Sequence, residues 1–259
     1  MRDRSASLRA VIFDLDGTLV DWGQSRDEMR RALFIRDVLQ GMLQTLERAG
    51  LSPPPLEEVV REYTTRLSQG WEEDLFDLRP PHLGEILEAT LAATGMDGDR
   101  PDRQTLLEAF PWKAVPGVTC FPDAPGALRT LLNHGIKTGL VTNSSHPMWL
   151  RDRELEAFGL LQLLPHCRLS AADVGRLKPH PQIFRAALER LGVAPHEAVF
   201  VGDNPVADIS GAQNAGMRAV LRRGRNDTAE LARLIEPVHR LDSLEELPAV
   251  LDDWYPGWR

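Results

Sequence analysis

The chain has 259 residues, of which 42% are hydrophobic and 26% are charged. This composition is that of a folded soluble protein, and it excludes a disordered, collagen-like or disulfide-rich chain. Acidic residues number 38 against 30 Lys and Arg, which gives a formal net charge of -8. Such a chain has no basic surplus for the phosphates of a nucleic acid polymer or for an anionic membrane surface, so a small molecule is the expected partner.

The cysteine content and the N-terminal segment indicate where in the cell to expect the protein. Cys120 and Cys167 are too few and too far apart in sequence for a metal cluster or a disulfide framework. Residues 1–9 are short and charged, and no apolar run of signal-peptide or membrane-span length follows them. We therefore expect a cytoplasmic protein that does not insert into a membrane.

Three segments, at residues 9–14, 137–143 and 198–203, are short β-branched and apolar runs that end abruptly in polar residues. They predict buried parallel strands, and a further strand is predicted at 218–221. An apolar helical face over 183–191, followed by Gly192, predicts one of the helices between them. This order predicts an α/β fold with a Rossmann-like, doubly wound and mainly parallel sheet. Ligands bind such sheets at the carboxyl ends of the strands, where these polar residues fall.

The segment 21–115 has several helical periodicities and no convincing strand. It predicts a helical insert with helices near 28–49, 56–67, 83–94 and 102–110, within a core domain formed by 1–20 and 116–259. A capping-box spacing at 243–246 predicts a last helix.

The motif with the most chemical content is Asp-Leu-Asp-Gly-Thr at residues 14–18. In an extended segment Asp14 and Asp16 point to one face, roughly 6–7 Å apart along the strand, with room for a phosphoryl group between them. Asp14 is expected to be ionised at neutral pH and available as a nucleophile. Asp16 would have to hold a proton transiently to protonate a leaving alkoxide. The alternative to a catalytic role is a turn in which both aspartates are solvated.

A second acidic cluster follows the strand predicted at 198–203. Asp203 and Asp208 could build an oxygen-rich cation site together with Asp14, and Mg²⁺ favours such ligands. Asp208 could instead be a helix-entry residue.

Thr142 and Asn143 follow another predicted strand, where the hydroxyl and backbone donors could orient phosphate oxygens. Lys178 precedes the helix over 183–191, and its ammonium could neutralise an anionic transition state. An isolated lysine before a helix is more often a solvated surface residue. A functional role for Lys178 is therefore supported only by the other motifs that accompany it.

In this order the motifs resemble those of the haloacid dehalogenase superfamily, specifically its phosphatase branch with a helical cap. Residues 14–18 look like the first family motif, Thr142 the second, Lys178-Pro179 the third, and 202–208 the fourth. The likeness covers about residues 9–224, and the insert resembles the cap that closes over the phosphate site.

The resemblance implies a magnesium-dependent phosphohydrolase acting on a small phosphorylated metabolite, such as a nucleotide, a sugar phosphate or a phosphoglycolate-like ester. It implies that Asp14 forms an aspartyl-phosphate, that Asp16 is the acid and then the base, and that Thr142 and Lys178 bind phosphate. The implied magnesium ligands are Asp14, the Asp16 carbonyl, Asp203 and, directly or from just behind them, Asp208.

Other functions stay open at this point. Within the superfamily the resemblance would suggest a dehalogenase with tyrosine in place of Asp16 and a phosphonate hydrolase with alanine there, so aspartate favours phosphate esters. A sugar phosphomutase would share the acid pair. A phosphate-accepting signalling protein would carry its acceptor later in a compact chain, and an inactive ligand-binding relative would not need the complete polar set.

Overall fold

A computed structural model of the chain describes residues 7–23, 28–73, 77–96, 98, 101–223 and 239–259. The strands are β1 Ala10–Phe13, β2 Val20–Asp21, β3 Thr119–Cys120, β4 Lys137–Thr142, β5 Cys167–Ser170, β6 Ala198–Gly202, β7 Arg218–Arg222 and β8 His239–Leu241. The helices are α1 Glu28–Arg48, α2 Leu56–Glu73, α3 Leu83–Ala93, α4 Arg103–Ala109, α5 Ala124–Asn133, α6 Met148–Ala157, α7 Ala171–Val174, α8 Pro181–Leu191, α9 Gly211–Asn214 and α10 Leu247–Trp254. A π-helical turn over Pro205–Ser210 precedes α9, and single 3₁₀ turns lie at Leu161–Leu163, Pro195–Glu197 and Leu244–Glu246.

Within the described residues, six strands form one parallel sheet in the order β5-β4-β1-β6-β7-β8. β1 lies between β4 and β6, with Ile12 opposite Gly139 on one side and Phe200 on the other. Both β1 and β6 are buried along their whole length, as expected for parallel strands covered on both faces. The predicted Rossmann-like α/β fold is confirmed.

The two faces of the sheet pack against different helices. Val11 and Phe13 belong to the apolar cluster that includes buried side chains of α5, α6 and α10. Ala10 and Ile12 belong to the cluster with α8 and α9. Because successive strand residues point to opposite faces, β1 contributes to both cores, and helices on both faces make the sheet doubly wound.

Helices α1 to α4 lie between β2 and β3, which pair as a short antiparallel ribbon with Val20 opposite Cys120. Their buried side chains, such as Met42 and Leu106, join the same apolar cluster as Phe13. Of the described residues between β2 and β3, none forms a strand. The division into a core over 1–20 and 116–259 and a cap over 21–115 stays a prediction.

Several elements differ in extent from the sequence patterns. α2 continues to Glu73, beyond the predicted end at Leu67, and the capping box at Ser243 opens a 3₁₀ turn before α10 rather than the helix itself. Strands β5 and β8 carry Arg168, His239 and Arg240 within runs of four and three residues, so they have little of the apolar character that marks a buried strand. No described helix combines the length and apolar character needed to cross a bilayer.

Candidate active site

A cavity of about 160 Å³ opens at the carboxyl ends of β1, β4 and β6. Every site residue expected from the sequence lines it. The lining residues are Asp14, Asp16, Thr142, Asn143, Lys178, Asp203, Asn204, Ala207 and Asp208. The position agrees with the rule that ligands bind parallel sheets at the carboxyl ends of the strands.

Asp14 is the residue that follows β1, and its backbone N–H donates to Val201 O of the neighbouring strand at 2.9 Å. The chain then turns at Gly17, whose N–H donates to Val20 O at 2.8 Å. Gly17 has a φ of +91°, a conformation that favours glycine. The turn leaves Asp14 buried and Asp16 partly exposed at the edge of the cavity.

Lys178 lies between two carboxylates at the floor of the cavity. Its Nζ is 2.5 Å from Asp14 Oδ1 and 2.7 Å from Asp208 Oδ1, and it donates to Val141 O at 3.0 Å. Burial alone would lower the pKa of Lys178, but Asp14 and Asp208 raise it by more, so the ammonium is charged at neutral pH. Lys178 is therefore a fixed positive charge beside Asp14.

Asn143 holds the backbone of Lys178. Its Oδ1 accepts from Lys178 N at 2.7 Å, and its Nδ2 donates to Lys178 O at 3.0 Å. The side-chain amide is thus engaged in positioning the lysine, and a phosphate contact from Asn143 would have to come from its backbone. Thr142 lies closer to the acid pair, with Oγ1 donating to Asp16 Oδ2 at 3.4 Å.

Asp203 and Asp208 enter the site from the segment after β6. Asn204 is the cap of the π-helical turn, because its Oδ1 accepts from Val206 N and Ala207 N at 3.0 and 2.9 Å. Asp208 is turned inward instead, with Oδ2 accepting from Asn204 N at 2.9 Å and with almost no exposed surface. The helix-entry role considered for Asp208 therefore belongs to Asn204.

One carboxylate oxygen from each of Asp14, Asp203 and Asp208 lies within 4.8 Å of the others. Burial raises the pKa of Asp14 well above its ordinary value, Lys178 lowers it, and the neighbouring acids raise it further. The pKa of Asp14 is therefore higher than the ordinary value assumed from the sequence. Burial, together with Asp208, also raises the pKa of Asp203 to about 6. A bound cation would relieve this crowding of acids, and hard carboxylate oxygens are ligands that suit Mg²⁺.

Asp16 has partners that the sequence patterns did not indicate. Arg151 on α6 contacts both oxygens of its carboxylate through NH2, at 3.0 and 2.8 Å, and Trp22 Nε1 donates to Oδ1 at 2.8 Å. The sequence contains one indication of a buried charged group on α6. Arg151 and Glu154 have opposite charges and lie on the helix face that also buries Leu155. That spacing alone does not name Asp16 as a partner.

Comparison with known proteins agrees with this fold. The model of the haloacid dehalogenase-like hydrolases matches residues 8–216. A glyceraldehyde 3-phosphate phosphatase from Methanopyrus kandleri is 32% identical over 225 residues, covering 86% of this chain and 88% of the relative. A (S)-2-haloacid dehalogenase from a Pseudomonas species is 29% identical, covering 94% of this chain and 96% of the relative. The crystal structure of a HAD phosphatase from Thermococcus onnurineus has a TM-score of 0.59 at 28% identity, covering 94% of this chain and 98% of that one.

The chain belongs to the haloacid dehalogenase-like hydrolases, so the resemblance drawn from its motifs is confirmed. Within that family it is a HAD-like phosphatase, given its similarity to phosphatases over most of their length. Asp16 occupies the position where the resemblance would suggest tyrosine in a dehalogenase.

Proposed function

We propose that the protein is a Mg²⁺-dependent hydrolase of a small phosphate monoester, with Asp14 as its nucleophile. The observation that carries the proposal is the buried Asp14 carboxylate with Lys178 Nζ at 2.5 Å, in a cavity that a second carboxylate, Asp16, also lines. A nucleophile, a cation for the transferred group and a proton carrier are the parts that this chemistry requires.

In the proposed first step, a carboxylate oxygen of Asp14 attacks phosphorus, and the bond between phosphorus and the ester oxygen breaks. The proton on Asp16 passes to that oxygen, so the leaving group departs as an alcohol. In the second step Asp16 takes a proton from water, which attacks the aspartyl-phosphate and releases inorganic phosphate. Asp14 is regenerated as a carboxylate and Asp16 as an acid, which balances the cycle.

The fixed cations of the site support phosphate binding. The side-chain amide of Asn143 forms two hydrogen bonds with the backbone of Lys178, and Lys178 Nζ lies 2.5 Å from Asp14 Oδ1. Its charge is therefore already in place when negative charge accumulates on the transferring oxygens, which is the arrangement that stabilises a transition state most effectively. The hydroxyl of Thr142 is the proposed neutral donor to the phosphate.

The acidic donor set supports a divalent cation. If ionised, the four carboxylates Asp14, Asp16, Asp203 and Asp208 outnumber the charges of Lys178 and Arg151 by two. Asp14, Asp203 and Asp208, with the carbonyl of Asp16, are the proposed magnesium ligands. When bound, magnesium would neutralise this excess and help to orient the phosphoryl group for attack on phosphorus by Asp14.

The cavity supports a small leaving group. Its volume of about 160 Å³ is below the roughly 300–1,000 Å³ typical of sites for drug-sized ligands. The relative from Methanopyrus kandleri is named for glyceraldehyde 3-phosphate, a small phosphate ester. We propose a sugar phosphate or similar metabolite as the substrate, with nucleoside monophosphates and phosphoglycolate as the other compounds to test.

The test is a magnesium-containing screen of phosphorylated metabolites, scored by release of inorganic phosphate. The wild type should release phosphate from at least one small ester, whereas Asp14→Asn should lower the rate by about 10³-fold or more because it lacks the attacking carboxylate. Product analysis with a hexose 1-phosphate separates hydrolysis from transfer back to the sugar. Failure of the folded wild type on every ester, or full activity of Asp14→Asn, would overturn the proposal.

A further inference from the structure

The Asp16 carboxylate is held by a buried arginine. NH2 of Arg151 lies 2.8 Å from Asp16 Oδ2 and 3.0 Å from Oδ1, so one guanidinium nitrogen bridges both oxygens. The Arg151 side chain is 5% exposed, whereas that of Asp16 is 30% exposed. This contact, together with the hydrogen bond from Trp22, limits the rotation of the partly exposed carboxylate.

Arg151 also forms an ion pair with Glu154. Its NH1 lies 3.3 Å from Glu154 Oε1, one turn further along α6, and Glu154 is 2% exposed. Trp112 Nε1 donates to the same Glu154 oxygen. Burial raises the pKa of Glu154, while Arg151 and the Trp112 hydrogen bond lower it, so its charge depends on these two partners.

These contacts reach both ends of the predicted insert. Trp112 lies between α4 and β3 and packs against His146 with ring centroids 4.1 Å apart. Trp22, directly after β2, donates to Asp16 Oδ1 at 2.8 Å. Asp16 is therefore contacted directly from the start of the insert and, through Arg151 and Glu154, from its end.

We propose that Arg151 is a positioning residue that orients the Asp16 carboxylate toward the ester oxygen of the leaving group, with Glu154 and Trp112 fixing its guanidinium. This inference rests on the proposed role of Asp16 in proton transfer. A general acid has to lie within hydrogen-bond reach of the atom it protonates. Misplacement of a reacting group by about 1 Å can cost about 10²-fold in rate. Removal of Arg151 therefore acts on catalysis through Asp16.

The leaving group provides a readout that general damage to the fold would not reproduce. An alkyl phosphate needs a proton on its departing oxygen, whereas 4-nitrophenolate leaves without one. The constant kcat/KM reports the steps up to release of the leaving group, so it isolates this difference. Arg151→Ala should lower kcat/KM by about 10²-fold for the alkyl ester found in the screen and by less than about 10-fold for 4-nitrophenyl phosphate.

Four further variants complete the test. Arg151→Ala combined with Asp16→Asn should be no slower on the alkyl ester than Asp16→Asn alone, because residues that act as a unit are not additive. Arg153→Ala removes another arginine of α6, which contacts Phe110 O and Trp149, and it should keep wild-type selectivity between the two esters. If Arg151→Ala does not fold, Glu154→Gln keeps an acceptor for Trp112 and should show the same selectivity with a smaller loss.

The outcomes separate the inference from the function on which it rests. Equal losses on the alkyl and aryl esters, or wild-type rates in folded Arg151→Ala, would overturn the positioning role while leaving the phosphatase reaction intact. Additive losses in the double variant would do the same. Wild-type rates in Asp16→Asn on the alkyl ester would instead overturn the proposed proton transfer itself.

Discussion

Gly17 lies so close to Asp203 that a Cβ atom on the glycine would be 2.2 Å from Asp203 Oδ2. The Asp203 carboxylate therefore occupies the space that a side chain at position 17 would take. The same holds at the end of β6, where a Cβ on Gly202 would be 2.3 Å from Asp208 Oδ2. The absence of side chains at these two positions allows the carboxylates to gather in one small volume.

Gly17→Ala should therefore disturb the site as well as the backbone. A positive φ on a residue other than glycine costs about 1–3 kcal/mol, and the new methyl group would displace the Asp203 carboxylate. We expect a lower free energy of unfolding and a loss of phosphatase activity of about 10²-fold, because the proposed magnesium ligand is moved. Urea denaturation and phosphate release measure the two effects.

Gly50→Ala is the matched control. Gly50 has a φ of +87°, close to that of Gly17, and no described atom lies within 4 Å of a Cβ placed on it. The two variants should lose similar stability from backbone strain, but Gly50→Ala should keep its activity. Equal activity in the two variants would show that the contact with Asp203 has no consequence for the reaction.

Magnesium should stabilise the folded chain through its acidic cluster. A cation that binds only the folded state raises the free energy of unfolding by about 2.7 kcal/mol at 100 times its dissociation constant. We expect the melting temperature to rise with MgCl₂ in the wild type and to rise much less in Asp203→Asn. The effect should be visible without substrate, by calorimetry or circular dichroism.

Asp253→Asn supplies the control for general effects of charge, since Asp253 is exposed and lies on α10. This variant should respond to magnesium as the wild type does. A wild-type response in Asp203→Asn, or none in the wild type at millimolar magnesium, would argue against the proposed metal ligands.

The positions of the site residues could be predicted because they depend on strand ends. Asp14, Thr142 and Asp203 each fall at the carboxyl end of a buried apolar run, and the carboxyl ends of adjacent parallel strands meet at one edge of a sheet. Local sequence thus contains enough information to bring these three residues together. The family motifs added Lys178, whose approach to Asp14 depends on the loop after α7.

The partners of these residues could not be predicted in the same way. Arg151 meets Asp16 across 135 positions of sequence, and nothing near either residue specifies the other. The direction of the Asn143 side chain also depends on where the Lys178 backbone lies. Such contacts follow from packing between elements, which periodicity and spacing do not describe.

A buried ion pair connects β7 to the start of α5, and the C-terminal part of the chain binds the same carboxylate. Both guanidinium NH groups of Arg222 are 3.0 Å from the Asp123 carboxylate, and Ser243 Oγ donates to the same carboxylate at 2.8 Å. Asp123→Ala would leave Arg222 buried without its partner, which typically costs about 3–5 kcal/mol. Chemical denaturation should show a loss of this order.

The next residue along the chain offers the control. Arg223 pairs with Asp242 at 3.0 Å, but these side chains are 48% and 70% exposed, against 5% and 11% for Arg222 and Asp123. Exposed pairs contribute about 0–1 kcal/mol, so Asp242→Ala should have little effect. Similar losses in the two alanine variants would mean that burial does not determine the strength of these pairs.

His146 should make the protein less stable in mild acid. Burial lowers the pKa of His146 to about 3, with smaller contributions from Arg151 and His82, whereas an unfolded histidine titrates near 6.5. Between these values the unfolded chain binds a proton that the folded chain does not, so stability falls as pH falls. From pH 7 to pH 5 the loss should be about 2 kcal/mol. His82, whose pKa burial also lowers, adds to the loss in the same direction.

The variant His146→Phe isolates this contribution, because it keeps a ring against Trp112 and removes the titrating group. Between pH 7 and pH 5, the free energy of unfolding of this variant should fall by about 2 kcal/mol less than that of the wild type. This difference does not depend on the stability of the variant at pH 7. Urea denaturation at half-unit intervals of pH measures both curves. Parallel curves for the two proteins would mean that His146 titrates alike in the folded and unfolded chains, against the effect expected from its burial beside Arg151.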